Sequence, residues 1–182
     1  IFKIFILKII KLFMKKKIGF VGLGKLGLPV SLAIEAKGYK ILGYDISKKV
    51  NDIIFKKKYP YQEKYVDELL KNTKIKIETL EDVILKSELV FLAVQTPHHK
   101  KYEGITRIPK TRKDFDYKYL ISSIKNIIKI IKKNKKKKIH LTIISTVLPK
   151  TFDEKILPLI KPYRENISIA YNPFFIAMGT VI

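Results

Sequence analysis

The eleven residues at positions 17–27, KIGFVGLGKLG, decide the fold of this chain. The first six form a short apolar run that predicts a β-strand, and the pattern Gly-x-Gly-x-x-Gly follows at Gly22, Gly24 and Gly27. A helix is predicted next, over residues 26–37. Glycine permits a tight turn at the first position, close backbone approach to a ligand at the second, and close packing of helix on strand at the third. The segment therefore predicts a phosphate-binding turn at a helix N-terminus.

The second predicted strand, residues 39–44, ends at Asp45, 18 residues beyond Gly27. An acidic residue at about this spacing (~20 residues) binds the adenosine ribose in dinucleotide-binding folds. A carboxylate there repels the 2′-phosphate of NADP, so the pattern favours NAD, with Lys48 and Lys49 softening that repulsion. The residues expected to bind the cofactor here are Gly22, Gly24, Lys25, Leu26, Gly27 and Asp45.

Apolar and amphipathic segments alternate along the rest of the chain. Further strands are predicted at residues 74–77, 89–94, 139–145 and 167–171, and further helices at 48–55, 63–70, 80–86, around 120–131, and 150–160. The run LVFLAV at 89–94 is typical of a strand buried on both faces of a parallel sheet. The alternation predicts the α/β class, as a Rossmann-type, doubly wound, mainly parallel sheet with helices on both faces. Residues 14–182 are expected to form one domain.

The composition excludes some functions and weakens others. The chain carries 38 lysine and arginine residues against 16 acidic ones, a formal charge of +22, and no cysteine. A disulfide framework, a thiolate metal site and a cysteine nucleophile are therefore excluded within these residues. Because arginine, the usual reader of base edges, is scarce, no specific nucleic-acid partner is expected. His98 and His99 are adjacent, with Glu103 as their one nearby further ligand, so no metal site is expected.

Residues 1–13, IFKIFILKIIKLF, form an apolar and basic extension. It is too short to span a bilayer, which needs about 20 apolar residues. Its three lysines fall on one helical face, which leaves contact with a membrane surface as a lesser alternative. Translation is expected to start at Met14, and a cytoplasmic location is expected.

Four segments, in order, resemble the UDP-glucose/GDP-mannose dehydrogenase family: VGLGKLGLP, FLAVQTP, ISTVLPKT and YNPFFIAMG. The resemblance covers residues 15–182 and implies the N-terminal NAD-binding domain. Family members oxidise the C6 alcohol of a nucleotide sugar to a carboxylate in two NAD-dependent steps. The family's cysteine nucleophile, catalytic lysine and central helical and nucleotide-sugar-binding domains lie beyond the matched region. The resemblance therefore implies a chain that binds cofactor without turnover and forms a homo-oligomer through a segment it lacks.

The resemblance also implies roles for two strand-end threonines. The family threonine that matches Thr146 lies near the nicotinamide and helps to hold a catalytic water, and the one that matches Thr96 contacts the cofactor, together with Pro97. Both threonines follow predicted parallel strands, so both are expected at the carboxyl edge, where open α/β sheets bind ligands. Each hydroxyl could instead cap the next helix or turn.

The predicted substrate side departs from the family pattern. Asn172, Phe174 and Phe175 are expected to contact substrate, but Phe174 stands where well-known members carry glutamate, and phenylalanine cannot transfer a proton. Lys150 replaces a glycine of the family pattern. The long loop at residues 95–116 leads to the hypothesis that Arg107 contacts an anionic part of the substrate.

Four residues in and just before the predicted helix at 63–70 are interpreted structurally. Tyr59, Tyr61 and Tyr65 are expected to pack a short helix, and Glu63 resembles a family position at its start, where an acid suits the helix dipole. Two functional alternatives stay open: a β-hydroxyacid dehydrogenase-like oxidoreductase and a non-catalytic NAD-binding module.

Overall fold

The computed structural model describes residues 17–102, 107, 110–111, 113–174 and 179. Their six strands form one sheet in the order β3-β2-β1-β4-β5-β6, and every ladder is parallel. The strands are β1 Lys17–Val21, β2 Lys40–Tyr44, β3 Lys76–Ile77, β4 Leu89–Leu92, β5 Ile139–Ile143 and β6 Ile167–Tyr171. The strand order runs outward from β1 in both directions, so the winding reverses between β1 and β4. The predicted Rossmann-type topology is confirmed. Sheets of this type bind ligands at the carboxyl edge, at the point where the winding reverses.

Helices connect the strands at both faces of the sheet. They are α1 Gly27–Ala36, α2 Lys48–Lys56, α3 Val66–Asn72, α4 Leu80–Lys86, α5 Lys118–Lys133 and α6 Leu157–Ile160. Short 3₁₀ turns occupy Lys100–Tyr102 and Lys161–Tyr163, and a π-helical turn, Phe152–Ile156, precedes α6.

Two predicted helices differ from the structure in their bounds or winding. Helix α3 begins at Val66 rather than at residue 63, because Tyr65 adopts a left-handed φ of 63° that an α-helix does not admit. The predicted helix at residues 150–160 starts as a π turn. Pro158 lacks the N–H that would donate to the carbonyl four residues earlier, which interrupts regular α winding at this point.

The core consists of two apolar clusters, one on each face of the sheet. Helices α1, α2 and α3 bury side chains against Ile18 and Phe20 of β1. Helices α4, α5 and α6 bury theirs against Val21 of β1 and Val90 of β4. The predicted apolar stripe of α5 is confirmed, since its members are almost entirely buried: Leu120, Ile124, Ile127 and Ile131. Helices therefore cover both faces and leave the carboxyl edge to the loops.

Candidate functional site

The turn after β1 contains two glycines that the fold itself requires. Gly22 has a φ of +95°, and an added Cβ there would lie 2.5 Å from the carbonyl oxygen of Ala93. Gly27 is the first residue of α1, and its added Cβ would lie 2.1 Å from the carbonyl oxygen of Gly22. Both distances are far below van der Waals contact. Helix α1 therefore starts directly against the end of β1, which needs glycine at both positions.

The middle glycine of the turn has a different environment. An added Cβ at Gly24 would meet no atom within 4 Å, and its φ lies outside the left-handed region. Neither packing nor backbone conformation therefore requires glycine at this position. Gly24 lies just before the N-terminus of α1, where free N–H groups and the helix dipole favour an anion. The open space is what a pyrophosphate needs in order to approach the backbone closely.

Asp45 lies beside this turn at the end of β2. Its Oδ2 atom accepts a hydrogen bond of 2.8 Å from the N–H of Leu23, and its Oδ1 atom accepts one of 2.8 Å from the N–H of Ser47. The carboxylate is half-buried and links the β2 loop to the glycine turn. Since each carboxylate oxygen has two lone pairs, both can still accept a ribose hydroxyl. The sequence prediction that brings Asp45 to the glycines is therefore met in the geometry.

The loops after β4 and β5 are joined by hydroxyl groups. Thr96 Oγ1 donates to the carbonyl oxygen of Thr146 at 2.6 Å, and Ser145 Oγ donates to the carbonyl oxygen of Val94 at 2.7 Å. The Thr146 side chain is exposed at the carboxyl edge, as is Pro97. Thr96 and Thr146 both lie at the carboxyl edge as expected, and the hydrogen bond between them is an addition of the structure. Their contacts with cofactor and water stay predictions.

The segment between α2 and α3 lies against the glycine turn, which the sequence did not indicate. The Tyr59 hydroxyl donates to the carbonyl oxygen of Lys25 at 3.4 Å, and the Lys25 Nζ atom lies 4.5 Å from the centre of the Tyr61 ring. Tyr59 and Tyr61 pack edge to face, with ring centres 5.4 Å apart. Burial, with the nearby charge of Glu63, raises the pKa of Tyr59 to about 12. Tyr59 therefore stays a neutral donor to the turn.

The family model of the UDP-glucose/GDP-mannose dehydrogenase family, NAD binding domain, matches residues 16–182. The chain belongs to this family. Its cofactor is NAD, as the glycine turn and Asp45 predicted. The match decides between the two enzyme groups considered above, in favour of the nucleotide-sugar dehydrogenases.

Individual relatives agree with the family. The chain is 26% identical over 177 residues to the GDP-mannose 6-dehydrogenase of Pseudomonas aeruginosa, covering 91% of this chain and 38% of the relative. It is 26% identical over 174 residues to the UDP-N-acetyl-D-mannosamine dehydrogenase of Pyrococcus horikoshii, with coverage of 91% and 38%. A crystal structure of a ternary complex of GDP-mannose dehydrogenase from Pseudomonas aeruginosa superposes with a TM-score of 0.74 at 25% identity, covering 89% of this chain and 37% of that one. The chain thus spans less than two fifths of the length of these relatives.

The structure explains one departure from the family pattern. Lys150 adopts a left-handed φ of 68°, the region that favours glycine. The loop around it is held by two tyrosines that the sequence gave no reason to select. The N–H of Leu148 donates to the Tyr117 hydroxyl at 3.1 Å, and the N–H of Val147 donates to the Tyr171 hydroxyl at 3.3 Å. The turn therefore keeps the backbone shape that the family glycine would favour.

The predicted substrate residues are placed in different surroundings. Asn172 is exposed, and its N–H donates to the carbonyl oxygen of Ile143 at 2.9 Å. Phe174 is half-buried and packs against the apolar cluster beneath α1, α2 and α3. Arg107 is exposed, and Phe175 lies outside the described residues. Substrate contact by these four residues stays a prediction.

The described residues also form a groove that lies away from the predicted site. A groove of about 810 Å³ lies at the opposite, amino edge of the sheet, and none of the predicted site residues lines it. In the described part of the chain, no helix is long and apolar enough to cross a lipid bilayer. The extension at residues 1–13 lies outside the described residues.

Proposed function

We propose that this chain is the cofactor-binding part of a nucleotide-sugar 6-dehydrogenase, which oxidises the C6 alcohol of a nucleotide sugar to a carboxylate. The observation that carries the proposal is the open position at Gly24, between two glycines that the fold requires and beside the Asp45 carboxylate. Relatives named for GDP-mannose and UDP-N-acetyl-D-mannosamine support a sugar linked to a nucleoside diphosphate as substrate. A cytoplasmic location and a homo-oligomer are part of this proposal.

The residues of the β1 and β2 loops bind and orient the cofactor. Backbone N–H groups at Gly24, Lys25 and Leu26 would hold the pyrophosphate at the start of α1, where the helix dipole adds to the attraction. Asp45 accepts hydrogen bonds from the adenosine ribose hydroxyls, and its negative charge disfavours a 2′-phosphate.

The residues of the β4 and β5 loops act where the oxidation takes place. NAD, when bound, accepts a hydride from the substrate carbon. The exposed Thr146 hydroxyl holds a water beside the reacting carbon, and Thr96 fixes the Thr146 backbone through its hydrogen bond. Because the chain has no cysteine, the family's covalent step needs a nucleophile from outside these 182 residues.

A calorimetric titration of the 182-residue chain with NAD and NADP tests the proposal. Saturable binding that prefers NAD is expected, and Gly24→Asp is expected to abolish it by placing a charged side chain in the pyrophosphate position. Asn72→Asp is the matched control, since it adds the same charge at the exposed end of α3, beside the groove at the amino edge. Unchanged NAD binding in a folded Gly24→Asp variant would reject the assignment of the turn.

A second candidate, a cofactor-binding module without dehydrogenase activity, is favoured by Phe174. This residue packs on the apolar core at a position where well-known members carry glutamate. NADH formation by the natural protein with UDP- or GDP-linked sugars distinguishes the two. Formation supports the enzyme, and NAD binding without NADH formation supports the module.

A further inference from the structure

Glu63 is a buried acidic residue whose contacts reach the far end of the chain. The residue is only 9% exposed, and its Oε2 atom accepts a hydrogen bond of 2.7 Å from the N–H of Gly179. The neighbouring N–H of Lys64 donates to the carbonyl oxygen of Gly179 at 3.1 Å. These two hydrogen bonds join residues more than a hundred positions apart. A buried carboxylate is costly unless its charge is hydrogen-bonded, so this pairing is a specific feature of the fold.

Glu63 does not lie at the start of α3, where the sequence placed it. Helix α3 begins at Val66, and Tyr65, in a left-handed conformation, separates it from Glu63. Two other acidic residues, Asp67 and Glu68, occupy the first turn of α3, where the helix dipole favours them. The carboxylate of Glu63 is directed to Gly179 instead. The sequence interpretation, which assigned Glu63 to the start of this helix, is corrected in this respect.

Two of the described residues after β6, Asn172 and Gly179, are hydrogen-bonded to distant parts of the chain. The N–H of Asn172 donates to Ile143 of β5, and Gly179 is held by Glu63 and Lys64. Phe174 lies between these two points and packs against the apolar cluster under α1, α2 and α3. Gly179 has a φ of +102°, which favours glycine at the point of attachment. The chain is therefore hydrogen-bonded on either side of Phe174, to β5 before it and to residues 63 and 64 after it.

The same segment contacts the cofactor turn. Tyr59 donates to the Lys25 carbonyl oxygen, and Tyr61 packs under the Lys25 ammonium group, four and two residues before Glu63. Residues 59–64 thus contact the glycine turn at one end and the chain after β6 at the other.

We propose that Glu63 is a positioning residue: its hydrogen bond to Gly179 anchors that residue beside the cofactor turn and thereby keeps Phe174 on the apolar cluster. Its role for the substrate side rests on the proposed function. Loss of the carboxylate releases Gly179 and exposes the Phe174 side chain, while the glycine turn and its cofactor contacts are retained.

The chain contains no tryptophan, which allows a clean local reporter. Phe174→Trp places a single indole at the half-buried position, and its fluorescence emission reports exposure to water. In this background, Glu63→Ala is expected to shift the emission to longer wavelength and to speed amide exchange at Gly179 by about tenfold or more. Glu63→Gln keeps a side-chain oxygen acceptor and is expected to preserve most of both signals. The matched control is Glu68→Ala, which removes the same charge from an exposed position on α3.

The outcomes separate this inference from the proposed function. Emission and Gly179 exchange in Glu63→Ala equal to those in Glu68→Ala would overturn the anchoring role. If Glu63→Ala does not fold, Gly179→Ala tests the anchoring role in its place. This substitution strains the backbone at position 179 and keeps the buried carboxylate. A shift of emission in that variant supports the anchor, and an unchanged emission overturns it. Failure of the unsubstituted chain to bind NAD contradicts the cofactor assignment alone and leaves the fluorescence result valid.

Discussion

The two halves of the carboxyl edge are built by different means. At β1 and β2, backbone atoms pack directly on one another, and the Asp45 carboxylate accepts from one N–H of the glycine turn and one of its own loop. At β4 and β5, the loops are joined by hydroxyl groups that donate to carbonyl oxygens. A side chain added at Gly22 or Gly27 would overlap a carbonyl oxygen, whereas a hydroxyl contact can be replaced at moderate cost. This difference predicts that the first half tolerates mutation less than the second.

The largest effect is expected from Gly27→Ala compared with Gly24→Ala. The added methyl group at position 27 overlaps the Gly22 carbonyl oxygen, so the free energy of unfolding is expected to fall by about 3 kcal/mol or more. The same change at position 24 meets open space and is expected to stay within about 0.5 kcal/mol. Urea denaturation of both variants measures the contrast. Equal losses would mean that the turn is packed uniformly.

Asp45→Ala tests the carboxylate that closes the first half. Two backbone N–H groups lose a charged acceptor, so a loss of about 2 kcal/mol in the free energy of unfolding is expected. NAD affinity is expected to fall by about tenfold, since one good hydrogen bond is worth about that much. Thermal denaturation and calorimetric titration measure both. The exposed Asp52 of α2 provides the control, because Asp52→Ala removes an acid whose ion pair with Lys56 contributes little.

Thr96→Val tests the second half. The substitution keeps the shape of the side chain and removes the hydrogen bond to the Thr146 carbonyl oxygen, at an expected cost of about 1 kcal/mol. Thr96→Ser keeps the hydroxyl and is expected to cost less. Urea denaturation provides the comparison with Asp45→Ala. A cost for Thr96→Val that exceeds the cost for Asp45→Ala would reverse the order of the two halves.

Lys150→Gly is expected to be stabilising. Lysine at position 150 is strained by its left-handed φ, and glycine relieves this strain at some entropic cost in the unfolded chain. The net gain is expected to be about 0.5 to 1 kcal/mol in the free energy of unfolding. Lys150→Ala keeps the strain and serves as the control. A similar gain from alanine would point to the charge of Lys150 rather than to its backbone.

The smallest effect concerns Tyr59 and appears only at high pH. Burial raises the pKa of its hydroxyl to about 12, above the value of about 10 for an unfolded tyrosine. The unfolded chain therefore loses this proton first, and the corresponding stability, fully present below about pH 10, is lost as the pH rises towards 12. Comparison of the chain with Tyr59→Phe by tyrosinate absorbance and thermal denaturation isolates this contribution. Titration of every tyrosine near 10 would contradict the burial of Tyr59.

The sequence predicted what local patterns encode. The glycine spacing and the strand-end Asp45 indicated the turn and its cofactor, and the stripe from Leu120 to Ile131 indicated α5. Other features depend on backbone states without a residue signal. Tyr65 adopts a left-handed conformation although it is not a glycine, so the sequence predicts the start of α3 too early. The π turn before Pro158 lies inside an apolar pattern that predicts an ordinary α-helix.

Contacts between residues far apart in the chain could not be predicted from the sequence either. The hydroxyl of Tyr117 supports a loop 31 residues away, and Glu63 binds a backbone N–H 116 residues away. Neither residue type indicates its partner, because any tyrosine or glutamate can make such a bond. Only the folded chain brings these groups together.

The close approach of Gly27 to the Gly22 carbonyl oxygen means that a side chain at position 27 is tolerated only if the backbone at position 22 also moves. At position 150 the chain has accepted lysine in place of the family glycine, since only a backbone conformation is strained there. At position 27 atoms would overlap, and no rotamer avoids the clash. Packing alone therefore leaves position 24 free to change, and what restricts it is the cofactor, whereas position 27 can change only if β1 and α1 move apart together.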